Sequence, residues 1–149
     1  MTRRDWMREA LALAKQAQLA GEVPVGAVVV HEGNIVARAR NERETTGDPT
    51  AHAEVLALRR AAAALGRRRL KGCTLVVTLE PCPMCAGAIA MSGIDEVLFG
   101  AYDPRCGCAG SLYNLPEDAA FGRVIPCSGG LLEAECQNML DAFFDSRRG

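Results

Sequence analysis

No stretch of this 149-residue chain approaches the eighteen or so consecutive apolar residues that a membrane-spanning helix requires. Arg3-Arg4 are followed by Asp5, Arg8 and Glu9 instead of an apolar core, so the opening residues do not read as a secretory leader. Internal repeats and low-complexity tracts are missing too, which removes solenoids and disordered tails from consideration. So is any excess of charge: a net −1 offers no overall basicity for non-specific binding to nucleic acid. Aromatic residues are only 5% of a chain that is 49% apolar, an ordinary balance for a globular protein. The length favours one domain, residues 1–149, with a sizeable core.

Seven cysteines are present, at positions 73, 82, 85, 106, 108, 127 and 136. An odd number without a leader reads as free thiols and metal ligands in a reducing cytoplasm. Charge is also polarised: basic residues exceed acidic ones by five through Lys71, and acidic residues exceed basic ones by six from Gly72 onward. Arginine accounts for fifteen of the seventeen basic residues and suits bidentate phosphate contact, so one face can still be basic.

Periodicity predicts an amphipathic helix from Asp5 to Ala20, stopped at Gly21. Val23 to Val30 and Ile35 to Ala39 read as a hairpin turning at His31-Glu32-Gly33-Asn34, with Gly26 a candidate for a close backbone approach. Asn41 to Pro49 is a polar loop, followed by a helix capped at Asp48 or Thr50 and running to Gly66, then a basic connector through Lys71. Strands are expected at Thr74 to Leu79, Glu96 to Phe99 and Arg123 to Pro126. Helices are expected from Pro83 to Met91, at Pro116 to Phe121 and from Leu131 to Ser146. This order implies a three-layer αβα fold with a central mixed five-stranded sheet and ligand-binding residues at strand-to-helix junctions.

The chemistry concentrates in His52-Ala53-Glu54 and Glu80-Pro81-Cys82-Pro83-Met84-Cys85. Cys82 and Cys85 stand at i and i+3 where Pro83 starts a helix, so both sulfurs can face one point and the helix dipole favours thiolate. His52 supplies a third zinc ligand, and three ligands with an open position describe a catalytic zinc. A structural zinc would need a fourth ligand, for which Cys73, Cys106 and Cys108 are available. Glu54 favours the catalytic alternative: two thiolates acidify water at the metal less than three imidazoles would, so a nearby base is useful. One difficulty stands, since residues i and i+2 of an ideal helix point about 200° apart. His52 and Glu54 share a pocket only at a helix's end.

The H-x-E…P-C-x-x-C pattern is that of zinc nucleobase deaminases. With Val23-Pro24-Val25-Gly26-Ala27, Ala39-Arg40-Asn41, Asp48-Pro49-Thr50, Phe99-Gly100-Ala101-Tyr102-Asp103 and Phe143-Phe144, the chain resembles the bacterial tRNA-specific adenosine deaminases of the cytidine deaminase superfamily over nearly its whole length. The resemblance implies one zinc per subunit on His52, Cys82 and Cys85, with Glu54 as the catalytic proton carrier. It implies substrate contacts by Val25, Ala27, Asn41, Ala53, Pro81, Asp103, Phe144 and Arg147. The substrate implied is the wobble adenosine in the anticodon loop of an arginine tRNA, converted to inosine by a cytoplasmic homodimer. Phe121-Gly122 departs from the Asn-His that relatives often carry. A free-base guanine or cytosine deaminase, and a catalytically silent zinc-containing tRNA-binding subunit, are the competing expectations.

Overall fold

Apolar runs that alternate with amphipathic helices must be covered on both faces, and the computed structural model, which describes residues 1–148, shows how. Helix α1 (Arg3–Leu19) is followed by the strands β1 (Gly26–His31) and β2 (Asn34–Arg40) and a one-turn helix α2 (Arg43–Thr46). Next come α3 (Ala53–Leu65), β3 (Cys73–Leu79), α4 (Pro83–Ser92) and β4 (Glu96–Ala101). A 3-10 turn (Ala119–Phe121), the short β5 (Cys127–Ser128) and α5 (Glu133–Arg148) complete the order.

The five strands form one mixed sheet in the order β2-β1-β3-β4-β5, antiparallel across the first two junctions and parallel across the last two. Helices α1 and α5 touch on one face and α3 and α4 on the other, giving three layers. Val28 and Val29 of β1, Leu75, Val76 and Val77 of β3, and Val97 and Phe99 of β4 form the buried middle. The parallel β3-α4-β4 unit sets Cys82 just past the carboxyl end of β3. No helix among the described residues is long and apolar enough to cross a membrane.

Local chemistry explains the elements. Thr2 and Asp5 form a reciprocal capping box, so α1 begins before the expected Asp5. The hairpin turns on Glu32 and Gly33, both at positive φ, as a tight primed turn requires. Gly26 is the close approach anticipated: its N–H donates to Thr78 Oγ1, and a Cβ there would strike the Ala10 carbonyl and the Ala14 amide of α1.

Four boundaries differ from expectation. The loop after β2 contains α2 because the buried Glu22 carboxylate accepts from the Glu44 and Thr45 amides and the Thr45 hydroxyl. Helix α3 is capped at His52 and not at Asp48 or Thr50, since Asp48 Oδ1 is already engaged by the Thr50 amide and hydroxyl. The expected helix at Pro116–Phe121 is only a 3-10 turn capped by Asp118, because Glu117 reaches away to accept from the Cys127 amide. The last strand falls at Cys127–Ser128 instead of Arg123–Pro126: Pro126 has no N–H, and its carbonyl only accepts from Val97.

Two outcomes test this account. Gly26→Ala should destabilise by about 3 kcal/mol, a fall in Tm of roughly 10 °C by calorimetry, because α1 must lift off the sheet. The hydrogen bonds around Glu22 outweigh its burial and hold its carboxyl below the usual 4.5. Its stabilisation is therefore complete above that value and lost as pH falls through the lower folded one. Glu22→Gln should melt roughly 4–6 °C lower at pH 7, and the gap to wild type should close below pH 4.5.

Candidate metal centre

Two helix N-termini, those of α3 and α4, bring the predicted ligands together. Cys82 is the N-cap of α4, with extended dihedrals, Pro83 at the first helical position and Cys85 in the first turn. His52 is the N-cap of α3, with φ −75° and ψ 148°. Since His52 lies outside the helical spiral, the i, i+2 objection disappears: its ring leaves in one direction while Glu54, inside the first turn, points inward. Neither N-cap side chain bonds back onto its own helix. Asn41 Oδ1 accepts from the Ala53 amide in place of His52.

His52 Nδ1 lies 3.7 Å from Cys82 Sγ and 3.5 Å from Cys85 Sγ, and the three ligand atoms all fall within 4.8 Å of one another. Tetrahedral zinc with Zn–S of about 2.3 Å and Zn–N of about 2.1 Å separates sulfur from nitrogen by about 3.6 Å. The donor set therefore fits zinc, ligated by the histidine through Nδ1. Among the described residues this is the one such group, and Cys73, Cys106 and Cys108 stand outside it. A closed four-ligand site is thus unsupported.

Electrostatics agree. The hydrogen bond from Cys85, helped by His52 and the α4 N-terminus, lowers Cys82 to about 4, while sharing that proton drives Cys85 upward. The Cys82 sulfur raises His52. Glu54 is 4% exposed, and burial lifts its carboxyl to about 7, with the Cys82 charge adding to the effect. At neutral pH it can hold a proton or release one.

Two clefts open on the surface, and neither is lined by His52, Glu54, Cys82 or Cys85. One, of about 710 Å³, lies between α5 and the loop after β4 and is lined by Tyr102, Asp103, Asp141 and Phe144. The other, of about 610 Å³, is lined by Asn41, Arg43 and Glu44. Phe144 and Arg147 border both. Of the predicted contact residues, Asn41, Asp103, Phe144 and Arg147 thus line a cleft. Val25, Ala27, Ala53 and Pro81 are buried and line neither. Asn41 is mostly committed internally, its Nδ2 donating to the Val23 carbonyl. Arg147 donates to the Gly21 carbonyl and stacks 4.3 Å over the Phe143 ring. Sequence reasoning missed Gln137, Leu140 and Asp141, although their spacing to Phe144 marks one face of α5.

Comparison with known proteins points the same way. Residues 1–101 match the model of the cytidine and deoxycytidylate deaminase zinc-binding region. The chain is 52% identical over 143 residues to the tRNA-specific adenosine deaminase of Bacillus subtilis, covering 96% of this chain and 89% of that one. A solved structure from work on tRNA:A34 deaminases that edit A to I at the wobble position aligns with a TM-score of 0.88 at 40% identity, over 91% of this chain and 99% of the other. The guanine deaminase of Nitrosomonas europaea aligns at 0.81 with 27% identity, over 94% and 83%.

The donor set predicts one zinc per chain by elemental analysis. His52→Ala, Cys82→Ala and Cys85→Ala should each bring zinc well below one equivalent. Cys73→Ala, Cys106→Ala, Cys108→Ala and Glu54→Gln should all retain it. Loss of zinc on replacing Cys73, Cys106 or Cys108 would restore the structural alternative.

Proposed function

From the premise that this chain belongs to the cytidine and deoxycytidylate deaminase family of zinc-binding domains, we propose that it deaminates adenosine to inosine in tRNA. In this reading residues 1–149 form a single deaminase domain, cytoplasmic and homodimeric. Its substrate is the wobble adenosine in the anticodon loop of an arginine tRNA, where unpairing a base costs little. The observation that carries the reading is a buried carboxylate, Glu54, two residues from one ligand of a His52–Cys82–Cys85 cluster whose ligand atoms lie within 4.8 Å of one another. Two exposed methionines on α4, Met84 and Met91, give the second subunit an apolar surface to cover.

Zinc, when bound, supplies a Lewis acid that polarises water. His52, Cys82 and Cys85 would hold it, and the thiolates are favoured by the α4 N-terminus. Glu54 accepts a proton from water, returns it to adenine N1 and delivers one to the departing ammonia. Its shift toward 7 suits each of those transfers. In this reading Val25, Ala27, Ala53 and Pro81, buried and outside both clefts, back the bound base from within the core. Asn41 has one amide hydrogen left for the flipped nucleotide, Asp103 meets ribose or backbone, and Phe144 with Arg147 steadies the splayed loop.

A free-base deaminase is the alternative that the shared guanine deaminase fold favours. Incubation with an anticodon stem-loop should yield inosine, with no ammonia from free guanine or cytosine. Glu54→Ala should lower kcat by about 10²-fold or more while the fold persists. Activity on free bases alone would overturn the substrate, and an active Glu54→Ala would overturn the mechanism.

A further inference from the structure

Glu80 is, with Glu22, one of two buried carboxylates that the reaction leaves unused. It is 2% exposed and lies between the end of β3 and Pro81-Cys82. Its Oε1 accepts from the Asp103 amide at 2.9 Å and from the Ser111 hydroxyl. Its Oε2 accepts from the Ala109 amide at 3.1 Å and the Ser111 amide at 2.8 Å. All four donors belong to the segment after β4, and together they fill the acceptor capacity of a carboxylate. No ion pair with Glu80 exists among the described residues, so these neutral donors are what stabilise it.

The segment is built around that anion. Gly107 has no room for a Cβ, which would run into the Glu80 carboxyl and the Asp103 carbonyl. The Cys108 amide donates to the Pro81 carbonyl at 2.8 Å, a second tie to the same turn. On its outer side Asp103 Oδ1 accepts from the Arg105 and Cys106 amides, shaping the wall of the larger cleft.

We propose that Glu80 is a positioning residue: its carboxylate folds residues 103–111 into the shape that receives the substrate RNA and fastens that shape to the turn bearing Cys82. The RNA in this statement rests on the tRNA-deaminase reading, whereas the loop's dependence on Glu80 does not. Glu80→Gln keeps the side chain's size but sets an amide NH2 against two of the four donors, so the loop loses half of its template while β3 and the metal ligands stay.

The test uses the zinc-loaded enzyme with an anticodon stem-loop. Glu80→Gln should raise KM about tenfold and leave kcat within about threefold. Zinc content should not change, and amide hydrogen exchange should accelerate only within residues 103–111. Ser111→Ala, which removes one donor, should move KM and exchange the same way by about two- to threefold. Unchanged exchange in both variants overturns the proposal. So does a fall in kcat at constant KM, or loss of zinc, either of which would mean that Glu80 acts through the metal turn. Should Glu80→Gln fail to fold, Ser111→Ala decides. A wild-type protein inactive on the stem-loop would refute the substrate reading, and exchange would still decide whether the loop depends on Glu80.

Discussion

Two helix N-termini aimed at one point is the constraint on which the remainder depends. An N-cap is ordinarily a Ser, Thr, Asp or Asn whose side chain folds back onto its own helix. Here His52 and Cys82 occupy those positions without capping, so both side chains are free to turn toward each other. The helices remain satisfied by other means. Asn41 supplies an oxygen to the Ala53 amide, and Pro83 has no amide to satisfy. The positive end of α4 then stabilises thiolate where a zinc ligand must be charged. The sheet sets the distance between the two ends, because α3 packs on β1 and β2 while α4 continues from β3, the strand beside β1.

Three buried glutamates show how environment divides one side chain among three tasks. At Glu54, burial and the nearby Cys82 charge outweigh its own backbone amide, the His52 charge and the Cys85 hydrogen bond, so it is lifted to about 7. Glu22 has three donors from α2 and is held low, a fixed anion that organises the loop before α3. Glu80 has four donors from the loop after β4. Between Glu54 and Glu22 the hydrogen bonds accepted decide the direction: burial raises both, and only at Glu22 do the donors outweigh it.

That division also marks what the sequence made legible. The hairpin, β3, the Pro83 helix start and the ligand trio follow from local pattern, because apolar runs and Pro or Gly positions act within a few residues. The existence of α2, the shift of the α3 cap to His52 and the collapse of the Pro116–Phe121 helix to one turn do not follow. Each is decided by a side chain distant in sequence or turned away from its own segment: Glu22 for α2, Asn41 for the α3 cap, Glu117 reaching to Cys127. The i, i+2 conflict between His52 and Glu54 arose from assuming both lay within a helix. Moving the cap two residues beyond Thr50 removed it.

The polarity of charge along the chain bears on recognition. The acidic second half supplies Asp103, Asp141 and Asp145 to the larger cleft, against Arg105 and Arg147. The other cleft sets Glu22 and Glu44 against Arg43 and Arg147. Neither is a basic trough, and Arg147, bordering both, is already fixed by the Gly21 carbonyl and the Phe143 ring. A phosphate backbone would gain little from counterion release at such surfaces. Binding of a nucleic acid here must therefore draw on shape and stacking: half-exposed Phe144 and Tyr102 face the larger cleft, and unstacked bases have free π-faces to meet them. That suits a splayed loop better than a duplex, and it makes the precise form of the wall after β4, and hence the four hydrogen bonds to Glu80, more consequential than any single cation.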